Sequence, residues 1–108
     1  MKQTFLLRLE SSPILTERDR RIIASRFMKR LCELDSNAIS LDRSREFTID
    51  QIWDNYLGAY NKEIVAPFVI FYFENELGYI HELPNNKITI TSKGKNHCKE
   101  QFVLPAGL

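Results

Sequence analysis

The run Phe47-Thr48, followed by Gln51-Ile52, constrains this chain more than any other feature, because it specifies both where a helix begins and how the chain enters it. Thr48 and Gln51 match a capping box, in which hydroxyl and amide side chains each satisfy a backbone N–H that the helix start leaves over. Phe47 and Ile52 occupy the positions of a hydrophobic staple, which sets the entry angle. Beyond them Ile49, Ile52, Trp53, Tyr56, Leu57 and Tyr60 recur at helical spacing, and Gly58-Ala59-Tyr60-Asn61 supplies an end. The pattern predicts an amphipathic helix over 49–60. Such a helix cannot bury its own apolar face, so the rest of the chain has to provide a packed layer.

Upstream, residues 3–10 suit a short strand, broken by Ser11-Ser12-Pro13. Thr16 with Asp19 resembles a second capping box and opens a first helix. Ile23, Phe27, Leu31 and Leu34 form its buried stripe, with Ala24 and Met28 beside it and Arg18, Arg21, Ser25, Arg26 and Lys29 opposite. Residues 35–46 are rich in Ser, Asn and Asp and are expected to be a loop, anchored by Ile39 and Leu41. Downstream, Asn61 to Ala66 suits a turn, with Pro67 at the first position of a third helix, where its missing amide costs nothing. That helix is expected to end at Leu77, with Gly78 as a left-handed cap. Tyr79–Leu83 and Lys87–Thr91 read as a hairpin around Pro84-Asn85-Asn86, and Ser92–Phe102 as a last helix with Cys98 and Phe102 inward.

A chain of 108 residues with 44% hydrophobic and 27% charged residues has one domain's worth of core and globular proportions. Its formal charge of +1 excludes a global basic field, so any nucleic-acid partner has to be recognised by local charge. The apolar run near the start is three residues long before Arg8 and lacks a cleavage site, and no segment reaches membrane-spanning length, so neither a leader nor a membrane partner is expected. Cys32 and Cys98 form no CxxC and read as buried free thiols in a reducing cytoplasm.

The order helix, short strand, helix, turn, helix and hairpin resembles the winged helix-turn-helix domain. The segment carrying most of the resemblance is Leu77-Gly78-Tyr79-Ile80, then Ile88-Thr89-Ile90-Thr91-Ser92-Lys93-Gly94-Lys95. There a recognition helix stops at a glycine, a strand enters the wing, and a Thr-x-x-Gly-basic segment follows the return strand. The resemblance covers roughly residues 16–102 of a single domain spanning 1–108. It implies an α+β fold, a helical core with a two-stranded wing and a possible N-terminal strand, and as a function DNA binding and transcription regulation by a homodimer.

Carried onto these residues, the wing would meet double-stranded DNA through Asn85, Asn86, Lys87, Lys93 and Lys95, with phosphates as the targets. The same lysines also suit an ordinary solvated surface. The third helix departs from the DNA-binding pattern. Its inward face should be Val69, Ile70, Phe73 and Leu77, leaving Phe68, Phe71, Tyr72 and Asn75 outward between Glu74 and Glu76. Base edges are read by polar and cationic side chains, not by aromatics beside carboxylates. Three exposed rings would instead make an apolar patch of a kind monomers rarely carry. That patch suits a homodimer or another protein bound through the third helix, unless other parts of the chain cover it. An interaction module that does not contact DNA is therefore the alternative function. His81 and His97 have no metal-site spacing, Cys98 and His97 are helix neighbours that point apart, and no phosphate loop exists, so no catalytic residue, metal or cofactor is expected.

Overall fold

Both capping boxes form. The Thr16 hydroxyl accepts from the Asp19 amide at 3.1 Å and Asp19 returns the bond to the Thr16 amide at 3.0 Å. Thr48 and Gln51 do the same at 3.2 and 2.8 Å. The computed structural model describes residues 16–53, 57–58 and 60–101. Within them lie α1 (Glu17–Ser40), β1 (Phe47–Thr48), α2 (Ile49–Ile52), α3 (Lys62–Phe71) continuing as a π-helical turn (Tyr72–Glu76), β2 (Ile80–Glu82), β3 (Lys87–Ile90) and α4 (Ser92–Gln101). The architecture is α+β, helices around one antiparallel sheet in the order β1-β3-β2. The expected N-terminal strand at residues 3–10, and the inward positions of Tyr56 and Phe102, lie outside the described residues.

The hairpin pairs Ile80 with Ile90 and Glu82 with Ile88, and Asn86 takes the left-handed conformation its turn needs, φ +63°. β1 adds a third strand, pairing Phe47 with Ile88, so the residue at the staple position is also a strand residue, buried in the same core cluster as Ile52. Thr48→Ala removes the cap at the strand-to-helix junction and is expected to cost about 1 kcal/mol. Urea titration should show a lower midpoint at unchanged slope; a loss below about 0.3 kcal/mol would mean that the sheet alone holds the junction.

The core centres on the α1 stripe. Ile23, Phe27 and Leu31 are fully buried, with Ile52, Leu57, Val69, Phe73, Ile80 and Ile88 packed around them. Phe27 stacks on Phe73 with ring centroids 5.7 Å apart and meets the edge of Trp53 at 6.4 Å.

Four local expectations are corrected. α1 does not stop at residue 35 but continues to Ser40. It ends in a Schellman-type cap: Asp42 is left-handed at φ +54°, and Arg43 N–H donates to the Ala38 carbonyl at 2.8 Å. The extra turns are held because Asp35, Ser36 and Ala38 are buried, whereas Ile39 and Leu41, expected to be anchors, are exposed. α2 is a single turn. Trp53 leaves the helical conformation at ψ 78°, and its indole N–H donates to the Tyr60 carbonyl at 3.3 Å, so the stripe is anchored from a bend instead of a helix.

α3 begins five residues before Pro67, with the Asn61 side chain accepting from the Ile64 amide at 3.3 Å. Pro67 is therefore interior, where it removes one backbone bond. Burial of Val65, Ala66, Val69 and Ile70 outweighs that loss, and the proline ring is on the solvent side. Lastly, Cys32 and Cys98 are not free thiols. They are bonded to each other, Cα atoms 5.7 Å apart, and fully buried.

The end of α3 follows the sequence. Gly78 is the left-handed cap at φ +70°. The π-helical turn before it was not foreseen. It aims the Phe73 carbonyl at the Tyr79 amide, 2.8 Å away, and the Glu74 carboxylate at the Glu82 amide, 3.0 Å away. Since Leu83 N–H points to β3, strand alternation puts that Glu82 amide on the outer edge of β2, which Glu74 thereby caps. The Thr-x-x-Gly segment is explained by α4. Thr91 accepts from the Gly94 amide at 3.0 Å and donates to the Gly78 carbonyl at 2.6 Å. A Cβ at Gly94 would stand 2.1 Å from the Tyr79 carbonyl oxygen, so only glycine lets the helix start this close to the strand.

Candidate interaction surfaces

Two sets of residues were expected to act, the wing cations and the outward face of the third helix. The first set has varied local partners. Asn85 and Asn86 are exposed at the hairpin tip, and Asn85 accepts from the Lys87 amide at 3.3 Å, which makes it part of the turn itself. Lys87 lies opposite Thr48 and, with Leu34, Leu41, Arg43 and Glu46, lines a cleft beside β1. Lys93 is above the Tyr79 ring, 5.9 Å from its centroid. Lys95 points to the α1 end of the molecule, 3.6 Å from Asp35 and 3.4 Å from the Ser36 hydroxyl.

Lys95 belongs to a structural ion cluster. Asp35 is fully buried and takes a forked pair of bonds from Arg45, Nε at 2.7 Å and Nη2 at 2.9 Å. Those hydrogen bonds hold the guanidinium still more firmly in its charged form. A fork of this kind is the strong form of a charge pair, and here it ties the loop after α1 to the helix. The wing lysines thus differ in their partners: Lys87 stands opposite Thr48, Lys93 over the Tyr79 ring and Lys95 beside Asp35.

The α3 face is different in character. Val69, Ile70 and Phe73 are buried as their spacing requires, and Leu77 is half-buried. Of the four outward residues, Phe71 and Asn75 are exposed, Phe71 to 38%. Phe68 and Tyr72 are instead half-buried against the core, so the three rings do not form one open patch. Burial, followed by the charge of Glu76, raises the Tyr72 phenol above its ordinary pKa, in keeping with a ring pressed into the fold.

Ile64 and Pro67 complete the exposed apolar face in place of Phe68 and Tyr72. Ile64 is 59% exposed and Pro67 is also on the surface, two turns and one turn before Phe71 respectively. Ile64 and Phe71 are seven residues apart and share a helical face, which reading the helix from Asn61 would have revealed.

Next to this stripe runs an open cleft of about 390 Å³. Ile49, Ala66, Pro67, Ile70 and Phe71 are its apolar wall, and Glu63, Glu74 and Glu82 its carboxylates, with Asn75 also lining it. Among the described residues its one lysine, Lys62, is engaged by Asp50 and lies 3.9 Å from Glu63. The Asp50 hydrogen bond comes first in raising the ammonium's pKa. His81, exposed on β2, reaches the Glu74 carboxylate at 3.2 Å. Chemically the cleft can bury apolar side chains and receive positive charge. Among the described residues no group of three or more His, Cys, Asp or Glu side chains could hold a metal ion, and no helix is long and apolar enough to cross a membrane.

Comparison of the chain with protein-family models, with curated proteins and with solved structures finds no match.

Proposed function

We propose that this chain is a winged-helix domain acting as a protein-interaction module, with the α3 face around Pro67 and Phe71 as its docking surface. The winged-helix reading is supported by the order of elements, by the cap at Gly78 and by a hairpin whose inner strand also pairs with β1. It departs from the usual pattern in α2, which is one turn long. The observation that carries the function is the chemistry of α3: the side that would enter a DNA groove presents Ile64, Pro67 and Phe71 beside Glu63 and Glu74. Apolar residues gain from a protein partner, and carboxylates would repel phosphates.

A role as a DNA-binding transcription regulator has the wing lysines in its favour and the apolar, acidic face of α3 against it. A homodimer through the same face is opposed by charge, because a two-fold axis there would bring the carboxylates of one copy's cleft, Glu63, Glu74 and Glu82, towards the same set in the other. The Cys32–Cys98 crosslink removes the thiol argument for a reducing cytoplasm, since disulfides persist chiefly in oxidising compartments.

The test is a peptide-display selection on the immobilised protein, with Phe71→Glu as counter-selection, alongside titration of a DNA duplex at two salt concentrations. The expected result is a set of peptides that bind the wild type and lose at least tenfold in affinity on the variant, roughly the worth of one buried aromatic anchor. Duplex affinity should be no better than the non-specific range, about 10⁻⁶ M or weaker at physiological salt. Tighter duplex binding that depends on Lys87 and Lys93 would overturn the reading in favour of DNA.

A further inference from the structure

The cleft beside Phe71 is polarised in a way that says what kind of partner fits it. Its wall is apolar, and among the described residues it is lined by three carboxylates, Glu63, Glu74 and Glu82, against one lysine, Lys62, with His81 reaching Glu74 from outside and Asp50 engaging Lys62. The Glu63 side chain is 80% exposed and Glu82 also faces solvent, so both carboxylates are open to a ligand. Among the described residues the countercharge lining the cleft is Lys62, which is shared between Asp50 and Glu63. An occupant therefore needs apolar side chains for Ala66, Pro67, Ile70 and Phe71, and cations along the border that meets the glutamates.

The edge of β2 narrows the choice further. The outward Glu82 amide is already bonded to Glu74, so an added strand would have to break that bond before pairing there. A helix laid against α3 by its side chains needs no free strand edge. Resting on the docking reading above, we infer that the partner of this cleft is a basic amphipathic helix, apolar on one face and lined with Lys or Arg along the border facing Glu63 and Glu82. A second copy of this chain would bring acid against acid. A nucleic acid would bring phosphate against acid.

The probe is a synthetic leucine–lysine amphipathic peptide of about 14 residues, near the shortest length at which an isolated helix holds. Its leucine–glutamate counterpart is the control, and both are titrated by fluorescence anisotropy against the full chain at low and high salt. Three proteins are compared: wild type, Phe71→Ser, and the double variant Glu63→Lys/Glu82→Lys. All three positions are exposed, and circular dichroism confirms that each variant folds.

The wild type is expected to bind the basic peptide and not the acidic one. Phe71→Ser should weaken binding at least tenfold. Charge reversal should weaken it roughly tenfold at low salt, where surface charges are felt, and about twofold or less at molar salt, where the Debye length is about 3 Å. Binding that depends on Phe71 but ignores the charge reversal, or that prefers the acidic peptide, overturns the basic-partner inference and leaves the docking reading standing. Binding that ignores Phe71→Ser overturns the docking reading itself. Wild-type protein that self-associates through Phe71 in light scattering overturns the inference in favour of a second copy.

Discussion

Replacing both Cys32 and Cys98 by Ala is expected to lower the unfolding free energy by about 4 kcal/mol, the chain-entropy value for a crosslink that closes a loop of this size. The bonded residues are 66 positions apart, and the loop includes β1, α2, α3, β2 and β3, so nearly the whole fold lies between them. Without the bond, the unfolded chain regains the freedom that the loop denied it, and α4 depends on its non-covalent packing against α1, β3 and Tyr79. The measurement is a pair of urea titrations with and without reductant. The wild type should lose in reductant what the double variant has already lost, and the variant should be indifferent to it. Equal stability of wild type and variant under oxidising conditions would mean that the crosslink contributes nothing to the fold in solution.

Asp35→Asn is expected to cost about 3 kcal/mol, at the lower end for breaking a buried ion pair because Arg45 is half exposed. The carboxylate is fully buried one helical turn beyond Cys32, and Lys95 stands one turn before Cys98 on α4. The covalent bond and the ion cluster therefore fasten the same two helices at adjacent turns, running antiparallel. Asn keeps the shape but gives up the charge that both Arg45 and Lys95 answer. Lys95→Met should cost less, about 1 kcal/mol, since the forked Arg45 bonds survive it. A double-mutant cycle between Asp35→Asn and the cysteine pair should show coupling, because the sites share one helix contact. An Asp35→Asn cost under about 1 kcal/mol would show that Arg45 and Lys95 give no net stabilisation at this depth.

The division between what was legible in the sequence and what was not follows the range of the interactions. The Thr16 and Thr48 caps, the left-handed Gly78, the hairpin turn at Asn86 and the start of α4 at Thr91 each depend on groups within a few residues of one another. Their chemistry is present in the local sequence, and each was readable from residue type and spacing alone. The α1 stripe of Ile23, Phe27 and Leu31 was readable for the same reason, since helical periodicity is a local property.

What only tertiary structure decided involves partners far apart in the chain. Asp35 through Ser40 read as loop because they are polar, and became helix because Arg45 and Lys95 satisfy Asp35 in the interior. The predicted second helix stopped after one turn because Trp53 found Phe27 and the Tyr60 carbonyl. Cys32 met Cys98 because α4 packs on α1, and spacing cannot report that.

The docking face shows both ranges at once. Periodicity correctly put Val69, Ile70 and Phe73 inside and Phe71 and Asn75 outside. Whether Phe68 and Tyr72 found cover, and whether Glu82 came to border the same cleft as Glu63, depended on how β2 docks against the π-helical turn. Local sequence determines where a helix can begin and which side of it is apolar; what stands opposite that side is set by the packing of the whole chain, where burial outweighs local preference.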